Sequence, residues 1–220
     1  MTASVINDLT LLTAAPQGIQ LIREMVWRLA ISGRLTSDST QSWRRSQLGD
    51  LGQWGSGGTP LKAHPGYYGG EIPWLVIGDL NDGLVTSAQQ SITALGLANS
   101  SAKVVPPGTV LIAMYGSIGK LGMTGIECAT NQAIAHCQAD PSLVTGRYLF
   151  ILLRSMRSSF VARGQGLAQQ NISQKILKSA DVSLPPLDVQ HRIVAKVDEL
   201  MALCDRLEAE QSDAEAAHTQ

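Results

Sequence analysis

Residues 106–126 read PPGTVLIAMYGSIGKLGMTGI, and this stretch sets the fold of the middle of the chain. Two apolar runs lie on either side of a glycine-containing turn, and runs bounded by glycine and proline are typical of paired strands. We therefore predict strands over Thr109–Tyr115 and Lys120–Ile126. The same criteria predict two more strands and two helices, namely Ile72–Ile77, Ala133–Cys137, Gly146–Ser159 and Ser173–Ser179. A mixed α/β domain is the expected result.

Composition separates this domain from the two ends of the 220-residue chain, whose formal net charge is −1. Residues 42–188 contain 19 of the 21 glycines and carry a net charge of +3. Residues 1–41 have no net charge, and residues 189–220 carry a net charge of −4. Such a shift on both sides of one block indicates a globular domain between two helical arms. We predict these three ranges as the N-terminal arm, the domain and the C-terminal helix.

Both arms have apolar residues at alternating spacings of three and four, which predicts helices with one narrow apolar seam. The N-terminal seam consists of Ile19, Ile22, Val26 and Leu29, and the C-terminal seam of Ile193, Val197, Leu200, Cys204 and Leu207. Pro16 suits a first helical turn, Gly33 suits the position after a last turn, and Asp188 suits an N-cap. Helices this short need a partner. That partner is either the core of the middle domain or another helix in a short coiled coil.

The strongest local feature is a basic stretch. Between Pro141 and Ala180 there is no Asp or Glu, whereas six cations are present: Arg147, Arg154, Arg157, Arg163, Lys175 and Lys178. Several Gln and Asn residues lie among them, and these side chains can bond to base edges while cations attract phosphates. The stretch is therefore either a nucleic-acid surface or a solvated basic helix.

The sequence has no recognisable enzyme motif. Gly116–Lys120 resembles a phosphate-binding loop, but Met114 stands where its first glycine belongs and Leu121 where its hydroxyl residue belongs. His136 and Cys137 are adjacent, as in some nucleophile pairs, but they lie in an apolar run that predicts burial. We predict that the chain is not a catalyst.

The remaining composition bears on location. Three cysteines without a C-x-x-C pair favour a reducing compartment and give no metal-binding spacing. No apolar run reaches about 18 residues, and the N-terminus lacks the features of a secretory signal. We expect a cytoplasmic protein that spans no membrane and binds no metal.

Short motifs follow one another in a fixed order along most of the chain. They are Gly55–Pro60 (GSGGTP), Gly70–Trp74 (GEIPW), Pro107–Gly116 (PGTVLIAMYG), Thr130–Gln132 (TNQ), Asn171–Gln174 (NISQ), Leu184–Leu187 (LPPL) and Gln190–Val194 (QHRIV). In this order they resemble a target-recognition domain of the specificity subunit of type I restriction-modification enzymes. The resemblance extends from about Ala15 to Leu207.

The resemblance implies a DNA-reading subunit without catalytic activity or a cofactor of its own. The implied partners are double-stranded DNA, an adenine methyltransferase subunit that uses S-adenosylmethionine, and a restriction translocase subunit. The family's usual chain has two recognition domains joined by two long antiparallel helices, and each domain reads half of an interrupted target.

This sequence has one such domain and one copy of each helix, so it resembles a half-size subunit. Two copies would restore the pseudo-twofold of the full-length subunit. We therefore expect a homodimer, paired through the C-terminal seam, that reads a gapped palindrome. The alternative is a truncated or regulatory chain that forms mixed dimers and inhibits or redirects another specificity subunit.

The resemblance also gives roles to individual residues. Phosphate contacts are predicted from Lys120, Arg154, Arg157, Arg163, Lys175 and Lys178. Base contacts are predicted from Thr59, Tyr67, Ser117, Gln169, Gln170, Asn171 and Gln174. The alternative site for base reading is the pair of less stereotyped loops at residues 63–70 and 163–170.

Overall fold

The computed structural model of the protein describes residues 17–36, 38–165 and 171–218. Its helices are α1 (Gly18–Ile31), α2 (Ala94–Ala98), α3 (Gly146–Gln165), α4 (Gln174–Lys178) and α5 (Leu187–His218). Its strands are β1 (Arg44–Gln47), β2 (Gly52–Ser56), β3 (Tyr68–Leu75), β4 (Leu84–Val85), β5 (Ser91–Ile92), β6 (Val104–Val105), β7 (Val110–Ala113), β8 (Leu121–Thr124), β9 (Cys128–Thr130), β10 (Ile134–Ala139) and β11 (Asp181–Leu184). The predicted mixed α/β domain with flanking helices is confirmed.

Three sheets organise the domain. A central five-stranded sheet has the order β2-β10-β7-β8-β4, and a second sheet has the order β5-β3-β9-β6. The two strands predicted in the quoted stretch form the middle of the central sheet, where β7 and β8 pair antiparallel with Val110 opposite Met123. The third sheet is a two-stranded ribbon of β1 and β11, in which Arg44 lies opposite Leu184. This ribbon brings the start and the end of the domain together.

Strand β7 explains why its sequence is apolar at every position. Val110 and Ile112 face a large core under helices α1, α3 and α5, whereas Leu111 and Ala113 face a second core. Alternate side chains of a strand point to opposite faces, so a strand covered on both sides has no polar position. The quoted stretch thus lies at the centre of the protein.

The two arms pack against each other and against the domain within one chain. In the C-terminal seam, Ile193 and Val197 are fully buried and Cys204 nearly so, while Leu200 and Leu207 are half-buried. Val26, Trp27 and Ala30 of α1 belong to the same core as Ile193 and Val197. The domain core and helix α1 therefore cover most of the C-terminal seam within one chain.

Polar contacts fix the arms in place. Arg23 of α1 forms ion pairs with Asp205 (2.7 Å) and Glu208 (2.8 Å) of α5. At the start of α5, the buried Gln190 side chain donates to the carbonyls of Leu143 (2.8 Å) and Pro185 (2.9 Å) and accepts from the Thr145 amide. The first turn of α5 is thereby joined to the start of α3.

The predicted helix ends are met in part. Gly33 has φ +70° directly after α1, in the left-handed region that glycine adopts without strain, as predicted. Asp188 lies inside the first turn of α5, which begins at Leu187, and it pairs with Arg192 (3.0 Å) instead of serving as the N-cap. Pro16 lies outside the described residues.

Candidate nucleic-acid interface

The basic stretch is less positive in the folded protein than in the sequence, because three of its six cations pair with acids from elsewhere. Arg147 pairs with Asp198 of α5 (2.5 Å), and Arg154 pairs with Glu24 of α1 (2.6 Å). Arg157 forms a two-pronged pair with the Asp82 carboxylate. These acids lie 51, 130 and 75 positions away in sequence.

Two of these arginines, Arg154 and Arg157, are among the residues predicted to bind phosphates, and the structure pairs both with carboxylates. The Arg154 side chain is only 11% exposed, and its guanidinium lies over the Trp27 ring at 5.7 Å. The Arg157 guanidinium is held by Asp82 and by the Gly119 carbonyl. Both guanidinium groups are therefore held by charge-assisted hydrogen bonds within the chain.

The other three cations of the stretch are exposed. Arg163 lies in the last turn of α3, and Lys175 and Lys178 lie on α4. Both lysines line a groove together with Gln174 and Asp50. The Gln174 side-chain nitrogen is buried and has no hydrogen-bond partner within the described part of the chain. These cations are the ones available to an anion.

The turn that joins β7 and β8, residues 114–120, carries the next predicted residues. It is closed by hydrogen bonds from the Gly119 amide to the Ala113 carbonyl (2.9 Å) and from the Lys120 amide to the Ser117 carbonyl (3.0 Å). Ser117 is exposed, whereas Lys120 is half-buried and donates to the Ile77 carbonyl (3.3 Å). A phosphate-binding loop would lead from a strand into a helix. This turn connects two antiparallel strands, so the structure rejects that alternative, as the sequence did.

Hydrogen bonds bring Thr59 and Asn171 next to this turn. The Thr59 hydroxyl donates to the side-chain oxygen of Gln132, and the Tyr115 hydroxyl donates to the Gln132 carbonyl (2.6 Å). Asn171 forms an isolated β-bridge with Tyr115. We call the surface around Thr59, Ser117 and Asn171 the reading face, because it combines residues that were predicted to read bases.

Arg163 is close to the reading face. A Cβ atom placed on the adjacent Gly164 would lie 2.5 Å from the Ile118 side chain, so the end of α3 packs against the β7–β8 turn. The structure therefore brings three candidates for base reading together with an exposed cation. Gln169 and Gln170, also predicted here, lie outside the described residues.

A second exposed loop, residues 61–66, follows Thr59. His64 and Tyr67 stack with ring centroids 4.0 Å apart and nearly parallel planes. The loop is anchored by the Tyr68 hydroxyl, which donates to the Pro60 carbonyl (2.7 Å), and by the Thr93 hydroxyl, which donates to the Gly66 carbonyl (2.9 Å). The predicted Tyr67 is thus half-buried against His64 at the base of this loop.

Sequence reasoning missed two groups near the reading face. Lys62 and His64 could have been found, because they lie in the loop at residues 63–70 or beside it, and that loop is one of the two alternative sites for base reading. Asp82 had no sequence signal, since its partner Arg157 lies 75 positions away.

The adjacent His136 and Cys137 do not form a reactive pair. Both are buried, and burial raises the pKa of the Cys137 thiol to about 12 and lowers the pKa of His136. A protonated thiol and a neutral imidazole are the inert forms of this pair. In the part of the chain that the structure describes, no group of His, Cys, Asp or Glu side chains could hold a metal ion. No described helix is long and apolar enough to cross a membrane.

The sequence matches a known protein family and several of its members. A family model described as the type I restriction modification DNA specificity domain matches residues 40–216. The specificity subunit of the EcoR124I/EcoR124II type I restriction enzyme of Escherichia coli is 27% identical over 167 residues, which are 73% of this chain and 41% of that subunit. The HindI specificity subunit of Haemophilus influenzae is 30% identical over 162 residues, which are 71% of this chain and 35% of that subunit.

A solved structure has a similar fold. The crystal structure of the HsdS subunit from Thermoanaerobacter tengcongensis superposes on 95% of this chain with a TM-score of 0.70, at 21% identity, and the match covers 50% of that subunit. The chain thus spans half or less of the length of these relatives. They are specificity subunits, which agrees with the prediction that the chain is not a catalyst. The protein belongs to the family of type I restriction-modification DNA specificity domains.

Proposed function

We propose that the chain reads one half of an interrupted DNA target in the cytoplasm and docks adenine methyltransferase subunits. The observation that carries this proposal is the reading face, where Thr59, Ser117 and Asn171 lie together beside the exposed Arg163. Polar side chains can discriminate between base edges, and the cation holds the backbone in register.

The proposed docking of protein partners rests on exposed residues of the two arms. Leu21 and Met25 of α1 and Leu203 of α5 are large apolar side chains that remain exposed. Residues 189–220 carry a net charge of −4. An apolar surface with an acidic surround suits a protein partner better than DNA. A second copy of the chain and a methyltransferase subunit are the partners that we propose for it.

A homodimer would place two recognition domains symmetrically, so the target would be a palindrome with a central gap. S-adenosylmethionine would be bound by the methyltransferase subunit, and a restriction translocase subunit would join through it. Mixed dimers with another specificity subunit would instead give an asymmetric target.

The test is to map N6-methyladenine across the genome of a host that expresses the chain with its methyltransferase subunit. The control host expresses the methyltransferase subunit alone. A new gapped palindromic motif supports the homodimeric reading subunit, and a gapped asymmetric motif supports the mixed dimer. An assembled complex without new methylation would contradict DNA reading by this chain.

Matched variants test the role of the exposed lysines. In the double variant Lys175→Gln and Lys178→Gln, we expect weaker DNA binding by the complex and a shallower salt dependence, by about one released ion for each phosphate that is no longer bound. The control is Lys196→Gln, since Lys196 pairs with Glu199 on α5 (2.9 Å) and does not line the groove at α4. Equal effects of the two changes would exclude a phosphate role for Lys175 and Lys178.

A further inference from the structure

We propose that Arg157 is a positioning residue that sets base selectivity by holding the β7–β8 turn in one conformation. The inference rests on the proposed function, because it assumes that the reading face contacts bases. It goes beyond that function in assigning selectivity to a side chain that is bound to Asp82 and to the Gly119 carbonyl.

The Arg157 side chain binds both the β7–β8 turn and Asp82. Its Nε donates to the Gly119 carbonyl (2.7 Å), and its two terminal nitrogens donate to the two carboxylate oxygens of Asp82, one of them at 2.9 Å. A guanidinium is planar and presents its donors in a fixed fork, so three bonds of this kind define a position in three dimensions.

Asp82 transmits the same constraint to the far end of the turn. Its Oδ1 accepts from the Leu121 amide (2.9 Å), and its own amide donates to the Leu121 carbonyl (2.9 Å). Asp82 has φ +59°, in the left-handed region that a non-glycine residue seldom adopts. Arg157 and Asp82 together therefore hold the turn at Gly119 and at Leu121, on both sides of Lys120.

The turn depends on such a brace because of its glycines. Gly116 and Gly119 have φ +75° and φ +79°, and a Cβ atom on Gly119 would lie only 2.8 Å from the Cγ atom of Arg157. Glycine permits this close approach but also permits many other conformations. Ser117 lies between the two glycines, so its position is defined only as well as the turn is.

Positioning and phosphate binding make opposite predictions for conservative variants. Lysine keeps the positive charge that a phosphate contact needs, but it cannot form the fork to Asp82 and Gly119. Asparagine at position 82 removes the negative charge that pairs with Arg157, which would strengthen binding if Arg157 contacted a phosphate, whereas it would lower selectivity if Arg157 positions the turn. A recognition site tolerates displacements of only about 0.5 Å.

The experiment measures the affinity of the assembled methyltransferase complex for a duplex with its methylation motif and for a scrambled duplex, over a range of salt concentrations. We expect Arg157→Lys and Asp82→Asn each to lower the ratio of the two affinities about tenfold or more, without a change in salt dependence. The control Arg163→Gln should weaken both affinities, reduce the salt dependence and keep the ratio.

Two results would overturn the inference. One is an unchanged affinity ratio in a folded Arg157→Lys complex, and the other is tighter binding of both duplexes by Asp82→Asn. If Arg157→Lys lowers the thermal stability of the chain, Asp82→Asn decides the question, because it leaves the arginine in place. A wild-type complex that binds both duplexes equally would overturn the proposed function itself, and the variants would not be needed to see it.

Discussion

The arginines of helix α3 differ in whether they are paired with a carboxylate. Arg147, Arg154 and Arg157 are paired with carboxylates of α5, of α1 and of the loop at Asp82, whereas Arg163 in the last turn is exposed beside the reading face. The paired ones join parts of one chain, and the exposed one is available to another molecule. The comparison shows that a cation in such a run stays available to an anion only where no carboxylate of the fold pairs with it.

The largest expected effect is the loss of stability when a buried side chain of α3 is removed, compared with an exposed one. Phe160 is fully buried near the exposed end of the helix. We expect Phe160→Ala to lower the free energy of unfolding by about 3–5 kcal/mol, because it leaves a cavity in a close-packed core. Arg163→Ala, three positions later, should change it by less than about 0.5 kcal/mol. Denaturant unfolding of both variants measures the difference. Similar losses of unfolding free energy would refute the distinction between the buried Phe160 and the exposed Arg163.

An intermediate effect is expected at Arg154. Its guanidinium is mostly buried between Glu24 and Trp27, so Arg154→Met should remove the ion pair and the contact with the Trp27 ring and cost about 1–2 kcal/mol of unfolding free energy. The salt dependence of DNA binding should stay as in the wild type. Adding Glu24→Gln should restore part of the lost stability, because the two side chains act as a pair. A reduced salt dependence in the folded variant would return Arg154 to the phosphate-binding set.

The smallest effect is the pH response of Asp82. Burial opposes its ionisation, but the hydrogen bonds from Arg157 and from the Leu121 amide outweigh burial and hold the pKa of Asp82 below its ordinary value. A lowered pKa adds stability that is fully present above the unfolded value of about 3.9 and is lost as the pH falls through the folded value. The difference in unfolding free energy between wild type and Asp82→Asn should therefore shrink below about pH 4. A difference that stays constant from pH 7 to pH 3 would contradict the Arg157–Asp82 pair.

Much of the fold could be predicted because its signals are local. The apolar strands β7 and β8 and the seams of α1 and α5 follow from residue types and spacings within a few positions. Strands of two residues, such as β4, β5 and β6, are too short to show any periodicity. Helix α3 continues beyond the predicted end at Ser159 because Phe160 packs into the core.

The candidate site was harder to predict, since its character depends on which distant residues meet. The fold brings Thr59 and the β7–β8 turn with Ser117 together through Gln132 and Tyr115. Nothing in the basic stretch indicated that Glu24, Asp82 and Asp198 would neutralise half of it. Sequence reasoning gives the number of charges reliably. Only the fold shows which of them remain unpaired.

The ribbon of β1 and β11 has a consequence for inheritance. Because Arg44 pairs with Leu184, the chain enters and leaves the recognition domain at one place, next to the arms. A segment that replaced the residues between them would therefore connect to the rest of the protein at one place in the fold. Helices α1 and α5 lie outside that segment. An exchange between residues 44 and 184 would therefore replace the domain and keep the ion pairs that join Arg23 of α1 to Asp205 and Glu208 of α5.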